Sequence, residues 1–268
     1  MDDTEIHRIT TTAHALADAA RATILPHFRM SGGLIAENKE KDSFDPVTIA
    51  DRAAEQKMRE ILARERPDDT IVGEEFGRQD GTSGWTWVLD PIDGTRGFMS
   101  GTPTWGVLIA VGRSDGPEFG IIDQPYIRER FWGGFGTSGM TGPSGDRHLG
   151  TRATTALDDA ILFTTFPEIG TSREMAAFRS VSDRVKLTRY GTDCYAYALL
   201  AAGQIDLVIE AGLHAYDVQA PIAVIEAAGG VVTDWSGGPV HNGGRTVAAA
   251  NATLHRAALD ILAPMVAG

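Results

Sequence analysis

Apolar residues recur at helical spacing near the start of the chain, with Ile6, Ile9, Ala13, Leu16, Ala20 and Ile24 on one face. The spacing predicts an amphipathic helix over residues 4–28 that packs on a core through that face. A polar loop over 31–46 follows. Thr48 and Asp51 then have capping-box spacing and open a second predicted helix over 49–66, which Pro67 stops. The periodicity changes next to short apolar runs. These predict strands over 70–73, 85–89, 104–112, 118–123 and 130–135, with Gly, Asp and Pro turns between them. Residues 136–150 are rich in Gly, Ser and Thr and mark a boundary or an excursion. Beyond them strands (161–166, 187–190, 205–210, 230–233, 246–249) alternate with helices (172–182, 193–202, 217–228, 252–266). Alternation of this kind indicates a layered α/β architecture. The expected organisation is an N-terminal α+β half, 1–150, joined through one interface to a C-terminal α/β half, 151–268.

Charge narrows the range of partners. The 268 residues carry 24 Lys and Arg against 36 Asp and Glu, a formal charge of −12. That balance argues against nucleic acid or an anionic membrane as the main partner, since phosphate contacts need clustered cations. If the substrate is itself a phosphate, a bound divalent cation has to attract it. Cys194 is the single cysteine, which excludes an intrachain disulfide and a cysteine-based zinc site and suits a reducing cytoplasm. No signal peptide and no membrane-spanning run is recognised.

The chemistry concentrates in one segment, Trp87-Val-Leu-Asp90-Pro-Ile-Asp93-Gly94-Thr95. An apolar strand delivers Asp90, Pro91 cannot donate to a ladder, and Asp93 follows within a turn. Two carboxylates this close repel unless a cation or a shared proton relieves them. Gly94 permits close backbone approach, and a helical turn beginning at Thr95 would aim amides at an anion. Glu74 and Glu75 after a short strand, Asp51, and Asp217 are further acids that could converge with them. Hard oxygen donors suit Mg²⁺, Mn²⁺ or Ca²⁺. Each also has a plainer reading. Asp51 and Asp217 could be helix caps, Glu74 and Glu75 solvated surface acids, and Asp90 and Asp93 turn residues.

Taken together, Val47-Thr-Ile-Ala-Asp51, Gly73-Glu-Glu75, Asp90-Pro-Ile-Asp-Gly-Thr95 and Tyr216-Asp217 with Gly229-Gly230 resemble the inositol monophosphatase-like family of Mg²⁺-dependent phosphatases. The order and spacing agree along nearly the whole chain. Lys41-Asp-Ser-Phe-Asp-Pro-Val-Thr48, Thr95-Arg-Gly-Phe98, Pro103-Thr-Trp-Gly106, Gly120-Ile-Ile-Asp-Gln-Pro125 and Arg189-Tyr-Gly-Thr-Asp-Cys-Tyr-Ala-Tyr197 are closest to its histidinol-phosphate phosphatase branch.

The resemblance implies an α/β/α/β/α sandwich of the inositol monophosphatase and fructose-1,6-bisphosphatase type, with the site where the halves meet. It implies two or three Mg²⁺, with Mn²⁺ as a substitute. Glu74, Asp90 and the Ile92 carbonyl would hold the first ion, and Asp90, Asp93 and Asp217 the second. Glu74 would reach a third through water. Ions roughly 3.5–4 Å apart can clamp the entering and leaving oxygens of an in-line displacement. Thr95, hydrogen-bonded to Asp51, would orient the attacking water or accept its proton, and the Gly94 and Thr95 amides would hold the phosphate. Arg189, Gly191, Asp193 and Glu210 would face the alcohol portion, and Lys41 would add a positive charge near the phosphate. Arg189 reads equally as a structural ion-pair residue. Trp105 and Tyr195 read as core, and His214 is the histidine nearest the site in sequence. The implied activity is hydrolysis of histidinol phosphate in histidine biosynthesis. Inositol 1-phosphate is the alternative substrate, and a phosphate-binding protein without turnover is the alternative of another class. A cytoplasmic homodimer acting on a small phosphomonoester, with neither nucleic acid nor membrane as partner, completes the expectation.

Overall fold

The computed structural model describes residues 1–30, 36–38 and 46–266. Lys41 and most of the loop expected over 31–46 lie outside the described residues. The first predicted helix is α1 (Asp3–Ile24), capped by the Asp2 side chain and continued by one 3₁₀ turn, Leu25–His27. Two short strands, β1 (Ala36–Asn38) and β2 (Pro46–Thr48), pair antiparallel. The capping box holds: Thr48 and Asp51 exchange backbone and side-chain bonds at the start of α2 (Ile49–Glu65).

A seven-stranded mixed sheet follows, ordered β4-β3-β5-β6-β7-β8-β9. Its members are β3 (Thr70–Gly73), β4 (Gly77–Gln79), β5 (Thr86–Asp93), β6 (Gly106–Arg113), β7 (Gly116–Gln124), β8 (Glu129–Gly134) and β9 (Thr137–Thr141). A short helix, α3 (Thr95–Ser100), separates β5 from β6. The C-terminal residues build a five-stranded sheet, ordered β11-β10-β12-β14-β13. Here β10 is Ile161–Thr164, β11 Leu187–Tyr190, β12 Leu207–His214, β13 Val231–Asp234 and β14 Gly243–Ala249. The accompanying helices are α4 (Ser172–Ser182), α5 (Tyr195–Ala201), α6 (Ala215–Ala227) and α7 (Ala252–Val266).

Central strands such as β6 and β10 are apolar almost without a break because both faces of the sheet are covered there. Along β6, Val107, Ile109 and Val111 enter the core under α1 and α2, whereas Leu108 and Ala110 enter the core shared with α5 and α6. Along β12, Val208 joins that shared core, and Leu207 and Ile209 face the third core under α4 and α7. The layers therefore run α1/α2, seven-stranded sheet, α5/α6, five-stranded sheet, α4/α7. This is the expected five-layer sandwich. Small residues let α6 lie flat on the first sheet: a side chain at Gly120 would begin 2.6 Å from the Ala220 carbonyl oxygen, and one at Gly133 2.7 Å from the Ala227 methyl.

Besides β1 and β2, which were not expected in or beside the polar loop, two more strands depart from expectation. Residues 136–150 contain β9, which pairs with β8, so part of the proposed boundary is sheet. β4 closes the other edge through an antiparallel pairing with β3. Both are short and polar, so neither carries the apolar run by which the other strands are recognised.

Candidate active site

β3 and β5 are parallel neighbours with Gly73 opposite Leu89. Glu74 donates its N–H to the Leu89 carbonyl at 3.1 Å, which brings its side chain level with Asp90. The turn that carries Glu74 is held from below. Glu55 of α2, fully buried, accepts the amides of Glu75 (2.7 Å) and Phe76 (3.2 Å) and the Arg59 guanidinium (2.8 Å). Gly73 leaves room for that carboxylate, since a Cβ there would meet Glu55 Oε1 at 2.0 Å. Glu55 was not singled out from the sequence. Its spacing four residues before Arg59 gives the ion pair but not the long-range contacts.

β5 does not end at Asp90. It runs to Asp93 through Pro91, and its register on β6 shifts between Asp90 and Asp93. The irregularity turns both acids toward one cavity and leaves Asp90, 2 % exposed, accepting the Ile92 amide at 3.0 Å. Asp93 accepts the Cys194 amide at 2.7 Å. Asp217 lies in the first turn of α6 and accepts the His214 amide at 2.6 Å. Each of Asp90, Asp93 and Asp217 offers a carboxylate oxygen, all within 4.8 Å of one another.

Burial, with the neighbouring acids, pushes Asp90 and Asp93 well above the usual carboxylate range. Burial raises Asp217 to about 6. Such a cluster is relieved by protons or by a cation. The donors are all oxygen and, among the described residues, no histidine or cysteine joins a group with metal-ligand spacing. This donor set fits a hard divalent ion such as Mg²⁺.

The trio lines a cavity of about 370 Å³ together with Glu74, Ile92, Gly94, Thr95, Asp193 and Glu210. Gly94 has φ +81°, and a Cβ there would meet the Asp193 side chain at 2.7 Å, so this position needs glycine on both counts. Asp193 is itself left-handed (φ 45°) and accepts the Thr104 hydroxyl at 3.2 Å. Glu210 of β12 accepts the amide (2.7 Å) and hydroxyl (2.9 Å) of Thr165, and burial raises it to about 7. Arg96, Phe166, Tyr197 and His214 also line the cavity. Arg96 stacks over the Phe166 ring at 5.0 Å, one residue from each half. Of these four, His214 was expected near the site, Arg96 and Tyr197 lie in segments quoted for the resemblance without a role of their own, and Phe166 was not singled out.

Several expectations need correction. Thr95 does not bond to Asp51: its hydroxyl donates to the Ile92 carbonyl at 3.1 Å, a bond available within its own turn. Asp51 Oδ2 instead accepts the amide and hydroxyl of Thr48, and Oδ1 is buried with no hydrogen-bond partner among the described residues. Asp51 sits outside the cavity lining, near enough to Glu74 to feel its charge, and burial raises it to about 6. Arg189 and Gly191 also fall outside the lining. Both are exposed, Arg189 on β11 at the sheet edge, where only β10 pairs with it. Trp105 is core, packed against Phe28 and Phe98, and Tyr195 is half-buried with its hydroxyl on Glu129 at 2.5 Å.

The sequence model of the inositol monophosphatase family matches residues 5–266. The chain belongs to that family. Inositol monophosphatase family proteins are metal-dependent phosphatases, generally with Mg²⁺, and the acidic trio is a cluster that could bind such an ion. The chain is 40% identical over 273 residues to the bifunctional phosphatase IMPL2, chloroplastic, of Arabidopsis thaliana, covering 98% of this chain and 77% of the relative. It is 34% identical over 244 residues to a histidinol-phosphatase from Mycobacterium tuberculosis, with 90% and 93% covered. The solved structure of an inositol monophosphatase from Zymomonas mobilis superposes with a TM-score of 0.85 at 39% identity, covering 98% of this chain and 100% of that one.

Proposed function

We propose that the protein is a Mg²⁺-dependent phosphomonoesterase whose substrate is histidinol phosphate, the ester of a cationic amino alcohol. The observation that carries the substrate class is the pair Asp193 and Glu210 on the cavity wall. Burial holds Glu210 near neutrality as an acid, so a cationic amine beside it gains by drawing out its charge. A neutral polyol gives no such return. The similarity to a histidinol-phosphatase supports the same reading.

In this reading Glu74, Asp90 and the Ile92 carbonyl would hold one ion and Asp90, Asp93 and Asp217 a second, with Glu74 available to a third. When bound, the ions neutralise phosphoryl charge and make water a nucleophile at neutral pH. The rest falls to the chain itself. The amides of Gly94 and Thr95 receive phosphate oxygens. Thr95 gives its own proton to the Ile92 carbonyl, so its hydroxyl oxygen is left as an acceptor that orients the attacking water. Asp51 acts as a buried charge behind Glu74 and not as a direct partner of Thr95. Arg189 and Gly191, being outside the cavity, are given no role in binding within one chain.

Phosphate release with Mg²⁺ tests the proposal. Histidinol phosphate should be turned over at least tenfold more efficiently than inositol 1-phosphate, and equal or reversed efficiencies would remove the substrate assignment. The inositol reading has its own support in the Zymomonas mobilis structure. Among the described residues no helix is long and apolar enough to cross a membrane. A homodimer in the cytoplasm is part of the proposal, and sedimentation velocity reads its oligomeric state directly.

A further inference from the structure

Tyr197 lies on α5, 4 % exposed, with its side chain in the core between the two sheets and on the wall of the cavity. Its hydroxyl oxygen is buried and has no hydrogen-bond partner among the described residues. Two residues earlier on the same helix, Tyr195 places its hydroxyl on Glu129. The fold thus satisfies one phenol of the pair and leaves the other unmatched. An unmatched buried hydroxyl weakens a fold, so it calls for a reason.

The surroundings supply one. The ionisable groups that face the phenol are Glu210, Asp93, Asp217 and the Cys194 thiol, and with burial they hold it protonated, well above the ordinary tyrosine range. Tyr197 is therefore a permanent donor among acceptors. Glu210 already takes two bonds from Thr165, and Asp93 and Asp217 take backbone amides. Once ionised, carboxylates only accept, so Asp193 and Glu210 can take the N–H and O–H donors of an alcohol but leave its acceptor atoms unserved.

We propose that Tyr197 is a substrate-binding residue whose hydroxyl donates a hydrogen bond to an oxygen or neutral nitrogen of the substrate's alcohol portion. The proposal rests on the phosphatase reading above and extends it. The wall selects an alcohol that carries a cationic donor and an acceptor together, the pattern of a short amino alcohol.

The test is Tyr197→Phe, assayed with Mg²⁺ on histidinol phosphate, inositol 1-phosphate and p-nitrophenyl phosphate, with thermal unfolding measured in parallel. For whichever natural ester the wild type prefers, KM should rise five- to twentyfold with kcat within twofold. The ratio of its kcat/KM to that for p-nitrophenyl phosphate should fall about tenfold. The Tm should equal or exceed that of the wild type, because an unmatched hydroxyl has been removed, and the Mg²⁺-induced rise in Tm should persist. A preserved ratio, or a lowered Tm that marks the hydroxyl as structural, would overturn the proposal while leaving the phosphatase reading intact. A wild type that turns over none of the three esters would overturn both.

Discussion

Asp93 accepts a hydrogen bond from the Cys194 amide, 101 residues further along the chain. That bond joins the end of β5 to the start of α5 and ties the acidic trio to the wall that carries Asp193. It also separates charge from shape at this position. In Asp93→Asn the side-chain oxygen can still accept the Cys194 amide, but one anionic donor is gone. Turnover should fall at least 100-fold while circular dichroism is unchanged, and the metal-free Tm should hold or rise because a buried repulsion is removed. Near-normal phosphate release in this variant would count heavily against the metal assignment.

Gly73→Ala probes the support beneath Glu74. The new methyl would overlap the Glu55 carboxylate, which then has to release the Glu75 and Phe76 amides. A clash in a closely packed site of this kind typically costs about 1–3 kcal/mol. Denaturant unfolding should show a loss of that size, and a Mg²⁺ titration should show weaker binding although no proposed ligand has been changed. Wild-type stability together with wild-type Mg²⁺ affinity would mean that Glu55 does not hold the turn.

The pH dependence of the metal-free protein should run opposite to that of a salt-bridged protein. Asp51 and Asp217 are raised to about 6 and Glu210 to about 7, with Asp90 and Asp93 well above the usual range. Between the ordinary carboxylate value and these raised values the folded state binds more protons than the unfolded chain, so stability falls as pH rises from about 4 through 7. For Glu210 alone, a rise from 4.5 to about 7 is worth roughly 3 kcal/mol. If Mg²⁺ binds the trio as proposed it displaces protons there, so it should raise Tm more at pH 8 than at pH 5 and release protons on binding. Unfolding scans with chelator and with Mg²⁺ across that range check this. A metal-free Tm that climbs with pH would contradict it.

Glu210→Gln tests the substrate wall. The amide keeps the size of the carboxylate and can still accept from Thr165, but it offers no charge to a cationic amine. The preference for histidinol phosphate over inositol 1-phosphate should drop at least tenfold, chiefly through KM. The response to Mg²⁺ should survive, since Glu210 is not a proposed ligand. An unchanged preference would take Glu210 out of recognition.

Much of this site was legible before any fold was known. Asp90, Asp93, Gly94 and Thr95 lie in one strand-to-turn segment, and their proximity follows from local geometry: a proline that cannot pair, a glycine that must turn, and two carboxylates too close to be left alone. The Thr48–Asp51 cap is equally local, and it was the cap that the structure kept, not the bond to Thr95. A side chain four residues or fewer from a suitable partner finds it without help from the fold, which is why Thr95 also settles on the Ile92 carbonyl.

What pattern and motif determined, then, is the alternation of elements, the doubly buried strands, the apolar face of α1 and the identity of the acids. Only tertiary structure decided which of those acids meet. The parallel register of β3 on β5 sets Glu74 beside Asp90, and α6 lying between the sheets delivers Asp217. The turn before α5 brings Asp193 against Gly94, while the edge position of β11 leaves Arg189 outside. The reason is physical: contacts across a hundred residues depend on strand register and on how closely small residues let layers approach. Neither is written in the periodicity of any single segment.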